Sequence, residues 1–227
     1  MDFTLFEELG KLKWFSIAAL VFAAALTAYL IYLLFKGKKG IREKEMPAGA
    51  VDPTLSLVYG ALCVALSFIL SYLRLFRMPQ GGSLTIASML PIALYSQWFG
   101  LKRGLLAGAA FGFLQLLQDA YIVHLLQLLL DYPLAFMCVG LAGLFPNNLP
   151  LGLLAGGLGR ILCSTLSGAI FFAQFSPEGM NPWAYSFVYN ALALGPDQLI
   201  CIVLALMPPV KRAISLIAPK LRPKESA

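Results

Sequence analysis

Apolar residues along this chain gather into seven runs, at about residues 14–35, 54–76, 84–99, 104–118, 121–145, 149–175 and 183–208. The runs are continuous and rich in Leu, Ala and Gly, without the strict alternation of a barrel strand, so they predict helices. Several reach the ~20 residues that a helix needs to cross a hydrocarbon core. The third and fourth are shorter and fit tilted or incomplete spans. The leader MDFTLFEELGKLKW places Asp2, Glu7 and Glu8 ahead of Lys11 and Lys13, and the run behind it is too long for a signal-peptide core, which predicts a retained helix. The polar, Gly- and Pro-containing stretch KGKKGIREKEMPAGAVDP then forms a linker. The expected organisation is an N-terminal transmembrane anchor helix (1–35), a cytoplasmic linker (36–53), a six-helix membrane domain (54–208) and a basic tail (209–227). The fold class is all-α and polytopic.

Composition supports this. Of 227 residues, 59% are hydrophobic and 12% charged, about half the charged share of a soluble domain, and the mean hydropathy is +0.79. The net charge of +6 does not point to nucleic acid, because the basic residues sit in short connections as the positive-inside rule produces. Lys36, Lys38, Lys39, Arg42 and Lys44 fall in the linker, Lys102 and Arg103 in the 99–104 turn, and Lys211, Arg212, Lys220, Arg222 and Lys224 in the tail. The alternate connections carry fewer, which places the linker and C-terminus in the cytoplasm and the N-terminus outside. Cys63, Cys138, Cys163 and Cys201 each lie within an apolar run and read as buried thiols rather than a disulfide or zinc framework. Gly104, Gly108 and Gly112, like Gly152 and Gly156, recur every four residues, a spacing that lets helix backbones approach closely.

Ionisable and amide groups at membrane depth are costly, and they mark sites. His124, Gln127 and Asp131 share a helical face, with Tyr121 one turn earlier; His124 itself reads as an interfacial residue. Arg160, Ser164, Gly168 and Phe172 recur every four residues as a second face. Arg160 needs an acid nearby, and Asp131 is the natural candidate. Trp183, Tyr185, Ser186 and Asn190 lie near the outer end of the last run, and Asp197 follows Gly195 and Pro196, where a kink is expected. These groups predict an outward-facing pocket between the last three helices, suited to a small, flat, polar or cationic ligand.

Three segments, PQGGSLTIASMLPI (79–92), LLDYPLAFMCVGLAGLF (129–145) and SGAIFFAQFSPEGMNPWAYSFVYN (167–190), resemble the thiamine-specific S component of energy-coupling factor transporters, the ThiT family. The resemblance covers about residues 54–208 and leaves the N-terminal helix outside. It implies a six-helix, S-component-like substrate-binding subunit in the bacterial cell membrane. Such a subunit captures thiamine or a related pyrimidine or thiazole compound outside. It works with a membrane T component and two cytoplasmic ATPases, and topples in the bilayer to release its cargo. The absence of a GxxxxGK[ST] loop from the sequence suits that division of labour.

The resemblance implies binding roles for Asp131 and Tyr132, where the family has Glu followed by Tyr. It implies a basic partner of that acid at Arg160, and further contacts at Gly168, Tyr185, Asn190 and Tyr121. Ser164 stands where the family has a His, Phe172 where it has a stacking Trp, and Gly82 where it has a first-loop aromatic; these departures keep a thiamine precursor open as ligand. Ala61 and Ala65, beside Gly60, match the face through which the family docks its T component. No catalytic residue, cofactor or metal is expected, and the chain does not read as an enzyme: a single His and scattered hydroxyls supply neither a nucleophile–base pair nor a ligand set. The alternative reading is a stand-alone secondary transporter of thiamine or a precursor, proton-coupled through Asp131 or Asp197, although six core helices show no inverted repeat.

Overall fold

The computed structural model describes residues 53–78 and 82–217. The expected anchor helix and the linker up to residue 52 lie outside the described residues, as does the end of the tail. The elements run α1 (Pro53–Ser71), β1 (Arg74–Arg77), β2 (Ser83–Thr85), α2 (Leu90–Phe99), α3 (Leu101–Asp119), α4 (Leu125–Leu144), α5 (Leu149–Phe171), α6 (Pro182–Leu206) and α7 (Pro208–Ile217). The all-α reading holds, with one short hairpin added. Among the described residues, α1, α4, α5 and α6 are long and apolar enough to cross a membrane. Large side chains such as Leu57, Ile69, Leu117, Leu199 and Val203 are exposed, an arrangement that suits hydrocarbon and not water.

The third apolar run differs from its expected form. Residues 84–99 do not make one helix: Ser83–Thr85 pair antiparallel with Arg74–Arg77, and helix begins only at Leu90. At 10 residues α2 is about 15 Å long, half of what a crossing needs. The hydroxyls of Thr85 and Ser88 bond to each other at 2.8 Å. Ala87 adopts a left-handed backbone with φ 58°, uncommon for a residue with a side chain. Its amide is held by Asp197 Oδ1 at 3.0 Å. The expected kink at Pro196 does not break α6, which is helical throughout Pro182–Leu206. The first part of the expected tail is helical too, as α7, whose Ile214 packs back on the core while Lys211 and Arg212 stay exposed.

The interior is built on Met89, Ile92, Phe111, Phe136, Val139 and Leu153, with Phe111 edge-on to Phe136 at 4.9 Å. The glycine stripes bring backbones together. A Cβ on Gly108 would run into Phe136 O, and one on Gly112 would lie 2.9 Å from Pro133 Cα, so α3 lies directly against α4. A Cβ on Gly156 would lie 2.9 Å from Val139 Cα, which seats α5 on the far end of α4.

The helices give the molecule two unlike ends. Pro53, the Gly100 turn, residues 145–148 and Met207 stand at one; the hairpin, residues 120–124 and residues 172–181 stand at the other. At the first end Gln97 Nε2 donates to Phe145 O at 2.9 Å. Lys102, Arg103 and α7 therefore all belong to that end.

Candidate functional site

A cavity of about 320 Å³ opens toward the hairpin end, within the size range of small-molecule sites. Asp131, Tyr132, Arg160, Ser164, Gly168, Phe172, Tyr185, Asn190 and Tyr121 all line it. The structure thus gathers around one chamber each residue to which the resemblance assigns a ligand contact, while Trp183 and Asp197 do not line it. Ala61 and Ala65, expected to dock a partner, lie elsewhere, on the exposed face of α1 with Leu57, Leu62 and Leu66.

Local backbone chemistry explains why two consecutive residues, Asp131 and Tyr132, share a wall. Pro133 has no N–H to give, and α4 relaxes over Leu130–Leu134 into a π-helical turn, with the Ala135 amide reaching Leu130 O five residues back. The wider turn reduces the angle between neighbours and brings both side chains to the chamber. Gln127 Nε2 donates to Asp131 Oδ2 at 2.7 Å and to Tyr121 O at 3.0 Å, while Gln127 Oε1 accepts from Val123 N at 3.2 Å. One buried amide thus ties the carboxylate to the 120–124 connection. Ser167 Oγ donates to the same Oδ2 at 2.7 Å, and Tyr132 Oη accepts from Tyr121 N at 2.9 Å. His124 caps the start of α4 by accepting from Leu126 N at 3.1 Å and stacks on Phe171 at 5.0 Å, outside the chamber.

The α5 face behaves as its spacing predicts: Arg160, Ser164, Gly168 and Phe172 run up one wall. Phe172 caps the helix, with Tyr121 at 5.8 Å and Phe175 at 6.3 Å. Across from them, Asn190 Nδ2 donates to Ser164 O at 3.1 Å and to Ser186 O at 2.9 Å, and Ser186 Oγ donates to Thr165 O at 2.8 Å. These bonds lock α6 to α5.

The expected Asp131–Arg160 pair is not what forms. Arg160 Nη1 lies 3.9 Å from Asp197 Oδ2, its guanidinium sits 4.2 Å over the Phe136 ring, and Nη1 reaches Met89 Sδ at 3.2 Å. Among the described residues Asp197 is the acid within ion-pair distance of Arg160. Asp131 is served by neutral donors instead. The physical reason is depth: Asp197, only 1% exposed, has no solvent to fall back on and needs the cation more than Asp131 does, which faces the chamber.

Several lining residues were not expected. Arg74 and Arg77 from β1, Ser71 from α1 and Gln115 from α3 form the rim nearest the hairpin, where Gln115 Nε2 donates to Ser71 Oγ at 2.9 Å. Tyr189, also in the lining, stands one turn from Tyr185 with rings 6.0 Å apart, a spacing visible in the sequence. Gly82, where the resemblance expects an aromatic, does line the chamber, in a left-handed conformation with φ 83°. Among the described residues there is no group of metal-binding side chains.

Comparison with known proteins agrees with this architecture. The family model for thiamine transporter protein (Thia_YuaJ) matches residues 57–217. The thiamine transporter ThiT of Bacillus subtilis is 36% identical over 148 residues, covering 57% of this chain and 77% of that protein. The ThiT of Lacticaseibacillus paracasei is 27% identical over 153 residues, covering 59% and 73%. A solved structure of ThiT from Listeria monocytogenes superposes with a TM-score of 0.62 at 20% identity, covering 74% of this chain and 97% of that one, a likeness of fold. With its apolar crossing helices, this chain is a multi-pass membrane protein that belongs to the thiamine transporter family.

Proposed function

We propose that this chain captures thiamine, or a pyrimidine- or thiazole-containing relative of it, in the chamber between α4, α5 and α6. The observation that carries this reading is the Asp131 carboxylate. It lines an aromatic-walled cavity and is bonded by the neutral groups of Gln127 and Ser167, while Arg160 lies at ion-pair distance from Asp197. A carboxylate so arranged selects a cationic or amino-bearing ring. Phe172 with Tyr121 supplies a stacking surface. Asn190, its Nδ2 spent on backbone carbonyls, offers Oδ1 as an acceptor, and Tyr132, Tyr185 and Ser164 add hydroxyls.

In this reading the hairpin end faces outward. The end bearing Lys102, Arg103 and α7 faces the cytoplasm, in keeping with its excess of positive charge. The chain acts as the S component of an energy-coupling factor importer. Ala61 and Ala65, small and exposed on α1, meet the membrane T component, and two cytoplasmic ATPases supply the driving force.

The test is thiamine binding to the purified protein, followed by quenching of tryptophan fluorescence, with pyrimidine and thiazole fragments as competitors. Trp183 packs beside Leu130 and Leu166 next to the chamber and should report occupancy. Saturable thiamine binding supports the proposal. A folded protein that binds none of the three overturns it.

A further inference from the structure

We infer that Asp197 is a positioning residue that sets the ligand charge the chamber accepts, by holding Arg160 away from Asp131. This rests on the proposed capture of a cationic ring and names the group that makes it possible.

Asp197 does not line the chamber; it stands behind Arg160, 1% exposed, on the α6 face turned toward α5 and the start of α2. Its two oxygens are used differently. Oδ1 accepts from the Ala87 amide at 3.0 Å, while Oδ2 lies 3.9 Å from Arg160 Nη1 and, among the described residues, has no hydrogen-bond partner. That oxygen is therefore committed to Arg160 through charge. Arg160 is also flanked by Phe136 and Met89, neither of which neutralises it.

Arg160 and Asp131 line the same cavity. Two acids thus compete for one cation in a low-dielectric space, where each unpaired charge is expensive. With Asp197 ionised, the guanidinium has its counterion at the rear and Asp131 faces the chamber with its charge uncompensated. With Asp197 made neutral, the guanidinium has one remaining acid in reach of its flexible stem. Pairing with Asp131 would then present the ligand with a neutral salt bridge in place of an anion. A cationic ring would lose its partner; an uncharged aminopyrimidine would lose much less.

The experiment compares thiamine, whose thiazolium is cationic, with an uncharged hydroxymethyl-aminopyrimidine, on wild type, Asp197→Asn and the double variant Asp197→Asn/Arg160→Met. Asn keeps an acceptor for the Ala87 amide. We expect Asp197→Asn to weaken thiamine by about 30-fold or more, the scale for losing one partner of a buried charge pair, and the uncharged pyrimidine by only a few-fold. The double variant, with no guanidinium at position 160 to pair with Asp131, should recover at least about tenfold of the thiamine loss. Equal losses for both ligands, or no recovery in the double variant, would show that Asp197 only holds the fold and would overturn the inference. Should Asp197→Asn alone not fold, the double variant carries the test: a ratio of thiamine to pyrimidine affinity near that of wild type supports the assignment, and a ratio at least about tenfold lower refutes it. If wild type itself binds neither ligand, the ligand proposal has failed, an outcome distinct from wild type and Asp197→Asn binding thiamine equally well.

Discussion

Ser186 occupies the space that a side chain on Gly168 would need. A Cβ there would overlap Ser186 Oγ and come within 3.4 Å of Asn190 Nδ2. The contact is also where Ser186 and Asn190 lock α6 onto α5. Gly168→Ala should therefore push Asn190 out of place and weaken thiamine binding by about tenfold or more, with a loss of stability of about 1–3 kcal/mol from overpacking. Adding Ser186→Ala should return part of both losses. Isothermal titration and thermal melts on the four members of this cycle measure it; independent, additive effects would mean that the contact does not shape the site.

Asp131→Ala removes the chamber's uncompensated anion and leaves Gln127 Nε2 and Ser167 Oγ without the oxygen they share. Thiamine affinity should fall by about 30-fold or more. Asp131→Glu keeps the charge and should keep measurable binding. Retention of full affinity in the Ala variant, in protein of normal helix content, would remove Asp131 from the site.

Phe172 stands alongside Tyr121 at the mouth. Truncation to Ala should cost about 0.5–1.5 kcal/mol of binding, the worth of an aromatic pair, or roughly 2- to 12-fold in Kd. Phe172→Trp should tighten the binding of a cationic ring, because indole attracts cations more strongly than phenyl. Competition binding with charged and uncharged analogues reads both; a Trp variant that gains nothing would argue that the ring is a lid and not a stacking surface.

Replacing Ala61 or Ala65 with Trp puts bulk on the exposed face of α1, far from the chamber lining. Ligand binding by the isolated chain should be unchanged, while co-purification with the T component and ATPases should be lost. Assembly that survives both substitutions would place the docking face elsewhere. Uptake by the chain alone in liposomes under a proton gradient would instead favour a self-sufficient carrier.

Helical periodicity made much of this site legible. Arg160, Ser164, Gly168 and Phe172 advertise a shared wall through their spacing alone, because a face of an α-helix repeats nearly every four residues. The pairing of charges was not legible. Spacing tells which residues share a helix face, but not which of two acids on different helices lies deeper, and depth decided that Arg160 goes to Asp197. The hairpin was hidden for another reason. RLFR and SLT are too short to show alternation, and their hydrophobic residues merge with the neighbouring runs. The π-helical turn left only Pro133 as its trace.

The chamber draws its walls from almost every part of the described chain: Ser71 ends α1, Gly82 and Thr85 belong to the hairpin, Gln115 to α3, Tyr121 to a connection, and Asp131, Arg160 and Asn190 to the three long helices. A molecule seated there acts as a keystone. It would contact segments far apart in sequence at once, and so tie α1, the hairpin, α3, α4, α5 and α6 to one another.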